Sequence, residues 1–198
     1  MRRAGYYPRM RLIVAITGSS GAIYGIRLLE ALRAAPKVEV HLIVSKGGKL
    51  TIGLETGRSI KSVEALAHEV HSDQDLAASI ASGSFRTAGM IVAPCSMKTL
   101  SGIANSYADN LVVRAADVVL KERRKLVLMP RETPLHVGHI RLLLEAAQMG
   151  AIIAPPIPAF YGKPKTIDDL VNHSVGRVLD LFDIDSSLVR RWQGARCR

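Results

Sequence analysis

Short apolar runs alternate along this chain with segments whose apolar positions recur at helical spacing. "RLIVAIT" (11–17) is rich in β-branched residues and predicts a first strand. "AIYGIRLLEALRAA" (22–35) puts Ile26, Leu29 and Leu32 on one helical face and stops before Pro36. "VEVHLIV" (38–44), "AGMIVAPCS" (88–96), "LVLMP" (126–130) and "AIIAP" (151–155) predict further strands, with helices over 97–106, 109–123, 134–149 and 166–183. Residues 55–87 are less regular and suit one or two short helices and a loop. Such alternation predicts an α/β fold with a mostly parallel sheet and helices on both faces.

Composition narrows the function. A chain of 198 residues with 48% hydrophobic content suits one globular domain. The net charge of +10 suggests a nucleic-acid partner, but its location argues otherwise. Residues 1–11 and 190–198 each hold four arginines and no acid, so eight of the ten excess charges lie in the tails and the body carries only +2. Aromatic content of 5% is too sparse for base stacking. Two cysteines, Cys95 and Cys197, make a disulfide framework improbable and favour a reducing, cytoplasmic compartment. No apolar run reaches the roughly 20 residues of a membrane helix.

Three segments carry candidate chemistry. In "AITGSSGAIYG" (15–25), Gly18 and Gly21 permit a tight turn, and Ser19 and Ser20 stand at a helix start, an arrangement suited to a phosphate. The same residues equally describe a serine-capped helix. The spacing is not G-x-G-x-x-G, which disfavours a dinucleotide. "VAPCSMKTLSGIANSYADNL" (92–111) repeats the design: Ser96 can cap the helix, and Lys98 opposes the helix dipole unless an anion lies nearby. Cys95, with no neighbouring base, reads as a small hydrophobe.

In "RAADVVLKERRKLVLMPRETPLH" (114–136), Arg114 and Lys121 share a helical face, and Arg131 and Glu132 leave a buried strand at its carboxyl end. There they form either a rim salt bridge or part of a site. Thr133 is the expected N-cap and Pro134 the first helical residue. "HVGH" (136–139) has metal-like spacing but no third ligand. Tyr161 and Lys163, in the proline-rich loop 155–164, can reach a ligand.

"TGSSGAIYGIRLLEAL", "APCSMKTLSGIANSYADNLVVRAADVVLKERRKLVLMPRETPLH" and "GAIIAPPIPAFYGKP…DDLVNHSVGRVLDLFDI" resemble the flavin prenyltransferases, the UbiX-type proteins. The likeness runs from Arg11 to about Trp192, giving residues 11–192 as one domain, 1–10 as an extension and 193–198 as a basic tail. It implies a three-layer Rossmann-like (flavodoxin-like) fold, a homododecamer and a cytoplasmic enzyme. The implied reaction joins the dimethylallyl group of dimethylallyl phosphate to N5 and then C6 of reduced FMN, without a metal. The product, prenylated FMN, serves UbiD-type decarboxylases, including those of ubiquinone synthesis.

The resemblance assigns FMN to Gly18, Ser19, Ser20, Ser45, Ser96, Met97, Lys98, Thr99 and Arg131. It assigns the prenyl phosphate to Tyr161, Arg177, Arg114 and Lys121, often with help from neighbouring subunits. Ser20, Glu55, Lys121 and Glu132 are the implied catalytic groups, with Glu132 carrying a proton among Lys121 and Arg177. Two positions depart from the family: Ser19 replaces the usual alanine, and Ser106 the usual glycine. A flavin-dependent cysteine decarboxylase is the nearest alternative, but it needs an early catalytic histidine and a Pro-Ala-Ser-Ala-Asn-Thr motif that this chain lacks. A non-catalytic FMN-delivery protein would not need Glu132, Lys121, Tyr161 or Arg177.

Overall fold

The first strand, β1 (Met10–Ile16), pairs with β2 (Val38–Val44) on one side and β4 (Gly89–Cys95) on the other. The computed structural model describes residues 10–189 together with Arg191, Trp192 and Gly194. The expected extension and tail lie almost wholly outside the described residues, as does Cys197. Outward from this centre come β3 (Glu69–His71) beside β2, then β5 (Lys125–Pro130) and β6 (Ile152–Ile153) beyond β4. The order is β3-β2-β1-β4-β5-β6, and every pairing is parallel. This is the doubly wound Rossmann-like arrangement.

Helices cover both faces. The β1 residues Leu12, Val14 and Ile16 pack toward α1 (Ala22–Arg33), α2 (Lys46–Thr56), α3 (Ile60–Glu64) and α7 (Ile167–Asp180). Ile13 and Ala15 pack toward α4 (Met97–Ala104), α5 (Leu111–Lys121) and α6 (Val137–Gln148). Central strands buried on both faces explain the continuous apolar runs in the sequence. Each fully buried Leu or Ile contributes about 1.5–3 kcal/mol.

The structure adjusts several expected elements. α2 and β3 were not expected. The last strand shortens to two residues. α6 starts at Val137 rather than Pro134, because His136 is its cap: Nδ1 accepts from the backbone N–H of Gly138 at 3.0 Å and His139 at 3.4 Å. Thr133 and Pro134 belong to the preceding turn, and the "HVGH" histidines serve the helix start. Ser106 has a φ of 51°, the left-handed region where glycine is more at ease. No helix among the described residues is long and apolar enough to cross a membrane.

Candidate active site

Strand order reverses between β1 and β4, and doubly wound sheets place their ligand crevice at the carboxyl ends of the strands at such a switch point. Thr17, only 1% exposed, joins the two turns. Its Oγ1 donates to the Pro94 carbonyl at 2.7 Å and accepts from the Ser96 backbone N–H at 2.8 Å. Sequence reasoning passed over Thr17, although a hydroxyl ending an otherwise apolar strand was a usable signal. Next to it, a Cβ added at Gly18 would lie 2.8 Å from the Gly47 Cα. The first turn therefore rests backbone to backbone on the start of α2. Ser19 Oγ is buried without a hydrogen-bond partner among the described residues.

An anion does occupy the start of α1, but it belongs to the chain. Gly21, at φ 101°, and Ala22 donate their N–H groups to Glu55 Oε2 at 2.8 and 3.1 Å. Glu55 thus lies at the crevice, on the last turn of α2. The other two helices that begin there are capped by serine. Ser45 Oγ accepts from Gly48 N–H at 3.1 Å, and Ser96 Oγ from Thr99 N–H at 3.3 Å. Capping at Thr99 leaves the N–H groups of Met97 and Lys98, which have no acceptor within the helix, at the open end of α4.

Lys98 proves to be paired inside the chain. Its ammonium meets the Asp109 carboxylate at 2.6 Å, so the anion its position called for is Asp109. Arg131 closes the crevice from β5: its backbone N–H donates to the Cys95 carbonyl and its Nε to the Ser20 carbonyl, each at 3.3 Å. The neighbouring Glu132 is exposed and, among the described residues, accepts only the local N–H of Thr133, at 3.0 Å. Arg131 and Glu132 do not bond each other, so the rim salt bridge is absent. Burial pushes the Cys95 thiol up to about 12, which leaves it protonated and unsuited to nucleophilic work.

The other expected residues fall into two groups. Tyr161 Oη and His173 Nε2 are 2.7 Å apart, and Arg177 stands one turn further along α7. His173 and Arg177 line a cavity of about 320 Å³ with Met129 and Ala154, beside the carboxyl ends of β5 and β6. His173 was missed, although its i, i+4 relation to Arg177 placed it on the same face. Arg114 and Lys121 share a face of α5 as expected, turned to the segment around Ala81 and Gly83. Arg114 pairs with Asp117 at 2.9 Å and Lys121 with Glu122 at 2.6 Å. Lys121 precedes β5 while Glu132 follows it, and a strand of this length spans roughly 17 Å. Within one chain Lys121 is therefore not beside Glu132, contrary to expectation.

Comparison with known proteins decides the family. Residues 3–179 match the Flavoprotein family. The flavin prenyltransferase UbiX of Salmonella typhimurium is 59% identical over 187 residues, covering 93% of this chain and 99% of that protein. The chain belongs to the flavin prenyltransferase family. Two solved structures similar to this prenyltransferase fold add context. One, a dodecameric FMN-dependent UbiX-like decarboxylase from Escherichia coli O157:H7, is 58% identical with a TM-score of 0.92, covering 93% of this chain and all of that one. The other, AnUbiX (PadA1) in complex with FMN and dimethylallyl pyrophosphate, is 53% identical with a TM-score of 0.93, covering 95% and 100%.

Proposed function

We propose that this chain transfers a dimethylallyl group from dimethylallyl phosphate to reduced FMN at the β1/β4 crevice. The observation that carries the reading is the single cluster formed there by Gly18, Ser19, Ser20, Ser45, Ser96 and Arg131, in a chain 59% identical to a flavin prenyltransferase. The crevice suits a flavin mononucleotide. It offers the unpartnered hydroxyl of Ser19, the open N-terminus of α4 for an anion, and the Arg131 cation. Reduced FMN supplies the nucleophilic ring atoms.

The chain's residues do the rest. Met97, Lys98 and Thr99 present the helix start to the flavin. Arg131, anchored to Cys95 and Ser20, orients it. Ser20 holds a proton near the reacting nitrogen, with Glu55 behind the same turn. Glu132 takes up and returns a proton during ring closure. Tyr161 and Arg177 bind the prenyl phosphate, whose departure needs preorganised cations. Lys121 stands a strand's length from Glu132 in its own chain, so Lys121, with Arg114 on the same face of α5, contributes to a neighbouring subunit's crevice.

That last assignment rests on self-assembly, which the surface supports. Leu50 and Leu54 on α2, and Val137, Ile140 and Leu144 on α6, are more than half exposed. Such apolar faces suit burial against copies of the chain. A UbiD-type decarboxylase in the cytoplasm receives the product.

Two variants test the site. Arg131→Ala should weaken FMN binding, followed by flavin fluorescence. Glu132→Gln should leave binding intact and slow single-turnover prenylation by about 10²–10⁴-fold. Wild-type prenylation by Glu132→Gln would remove the proton-carrier role.

A further inference from the structure

The sheet's other edge holds a cluster that prenyl transfer does not use. His41 on β2 is fully buried and His71 on β3 is 8% exposed. The parallel register pairs His41 with Glu69, and His71 lies two residues further along β3, so all three side chains share one face. His41 Nδ1 and His71 Nε2 are 3.0 Å apart. Glu69 reaches both: Oε2 lies 3.4 Å from His41 Nδ1 and Oε1 3.5 Å from His71 Nε2. Phe85 stands edge-on to the His41 ring at 5.2 Å, with the Arg11 guanidinium over its face.

We propose that His41, His71 and Glu69 form a binding site for a divalent transition cation such as Zn²⁺, bridging the edge strand β3 to β2. Three observations carry this. First, ligands about 2.0–2.1 Å from a tetrahedral ion lie roughly 3.3 Å apart. The two ring nitrogens are 3.0 Å apart, and the Glu69 carboxylate approaches them at 3.4 and 3.5 Å, one oxygen toward each, so a small rotation of this exposed side chain completes the set.

Second, the donor orientation is already set. His41 Nε2 donates to Glu39 Oε1 at 3.2 Å, and Glu39 also accepts from Arg11 Nε at 3.1 Å. A carboxylate on the far nitrogen of a ligating histidine fixes its tautomer and raises its basicity. With the hydrogen on Nε2, Nδ1 of His41 carries a bare lone pair. The hydrogen between the rings therefore sits on His71 Nε2. When the ion enters, that hydrogen moves to His71 Nδ1, and both imidazoles ligate as neutral groups.

Third, access is built in. The Glu69 side chain is 53% exposed, so solvent reaches the ion from the open edge and water completes its coordination. Two imidazoles and one carboxylate favour Zn²⁺ and its neighbours over Ca²⁺ or Mg²⁺, which prefer all-oxygen shells.

The experiment uses the full chain, stripped with a chelator and titrated with Co²⁺ and then Zn²⁺. One equivalent of Co²⁺ per chain should bind with visible d–d absorption, and Zn²⁺ should displace it. His71→Ala and Glu69→Gln should each weaken binding by at least about tenfold, and Glu39→Gln by about 10–100-fold through its partner. His136→Ala/His139→Ala, which removes the other histidine pair, should bind as wild type. Far-UV circular dichroism checks each fold. If His71→Ala misfolds, Glu69→Gln decides, since its exposed side chain supports no core. Absence of a stoichiometric site in the wild type, or wild-type affinity in Glu69→Gln with His71→Ala folded or not, would overturn the proposal. FMN titration of the same samples reads the crevice separately.

Discussion

Removing the Thr17 hydroxyl should loosen the turns after β1 and β4 at once. Thr17→Val keeps the shape and β-branching but deletes the oxygen that bonds Pro94 and Ser96. The Pro94 carbonyl keeps the Thr17 backbone N–H at 3.2 Å, so it is not orphaned. The Ser96 N–H, directly before α4, loses its acceptor. A lost bond costs about 0.5–1.5 kcal/mol and an unsatisfied donor about 1–3, which gives about 2–3 kcal/mol at this part-buried position. For a chain of this size that lowers Tm by about 4–12 °C, measured at matched protein concentration. FMN affinity, read by fluorescence, should fall with it. Thr17→Ser keeps the oxygen and should stay within about 1 kcal/mol of wild type. A Thr17→Val protein with unchanged Tm and FMN affinity would refute the idea that this hydroxyl couples the turns.

Two further outcomes follow from the structure. In a Cys197→Ser background, burial and its raised pKa should keep Cys95 unreactive toward a disulfide reagent at pH 8 until the chain unfolds; prompt native labelling would contradict its placement. In the α7 capping box, the N–H groups of Lys165 and Thr166 and the Thr166 hydroxyl hold the Asp169 carboxyl below its ordinary 3.8. The unfolded chain then binds the proton more readily, so this stabilisation is full above about pH 5 and fades as pH falls through the lowered value. Asp169→Asn should flatten that part of the acid-unfolding profile, and an unchanged profile would contradict the cap.

The central strands were legible because burial on both faces leaves a continuous apolar signal. α2 was not, because Gly47 and Gly48 read against a helix. Their reason is tertiary: Gly47 meets the Gly18 backbone, and a Cβ at Gly48 would lie 2.3 Å from the Ile16 carbonyl. β3 has only three residues, too few for a period to emerge. The start of α6 was misplaced because Thr133 and Pro134 carry strong helix-start preferences, yet a histidine side chain supplies the cap. At the site, the glycine and serine turns announced themselves locally. Glu55 closing α1, Asp109 pairing Lys98, and Thr17 joining two strands 77 positions apart are contacts that no local pattern records. The separation of Lys121 from Glu132 follows from strand direction, which becomes visible only once β5 is placed.

The most direct test of the account is mass spectrometry of the flavin released after anaerobic incubation of the purified chain with reduced FMN and dimethylallyl phosphate. The released flavin should be heavier by one dimethylallyl unit, with stoichiometric phosphate release and a strong reduction in the Glu132→Gln protein. Recovery of unmodified FMN from a folded, FMN-bound chain, with no phosphate released, would contradict it.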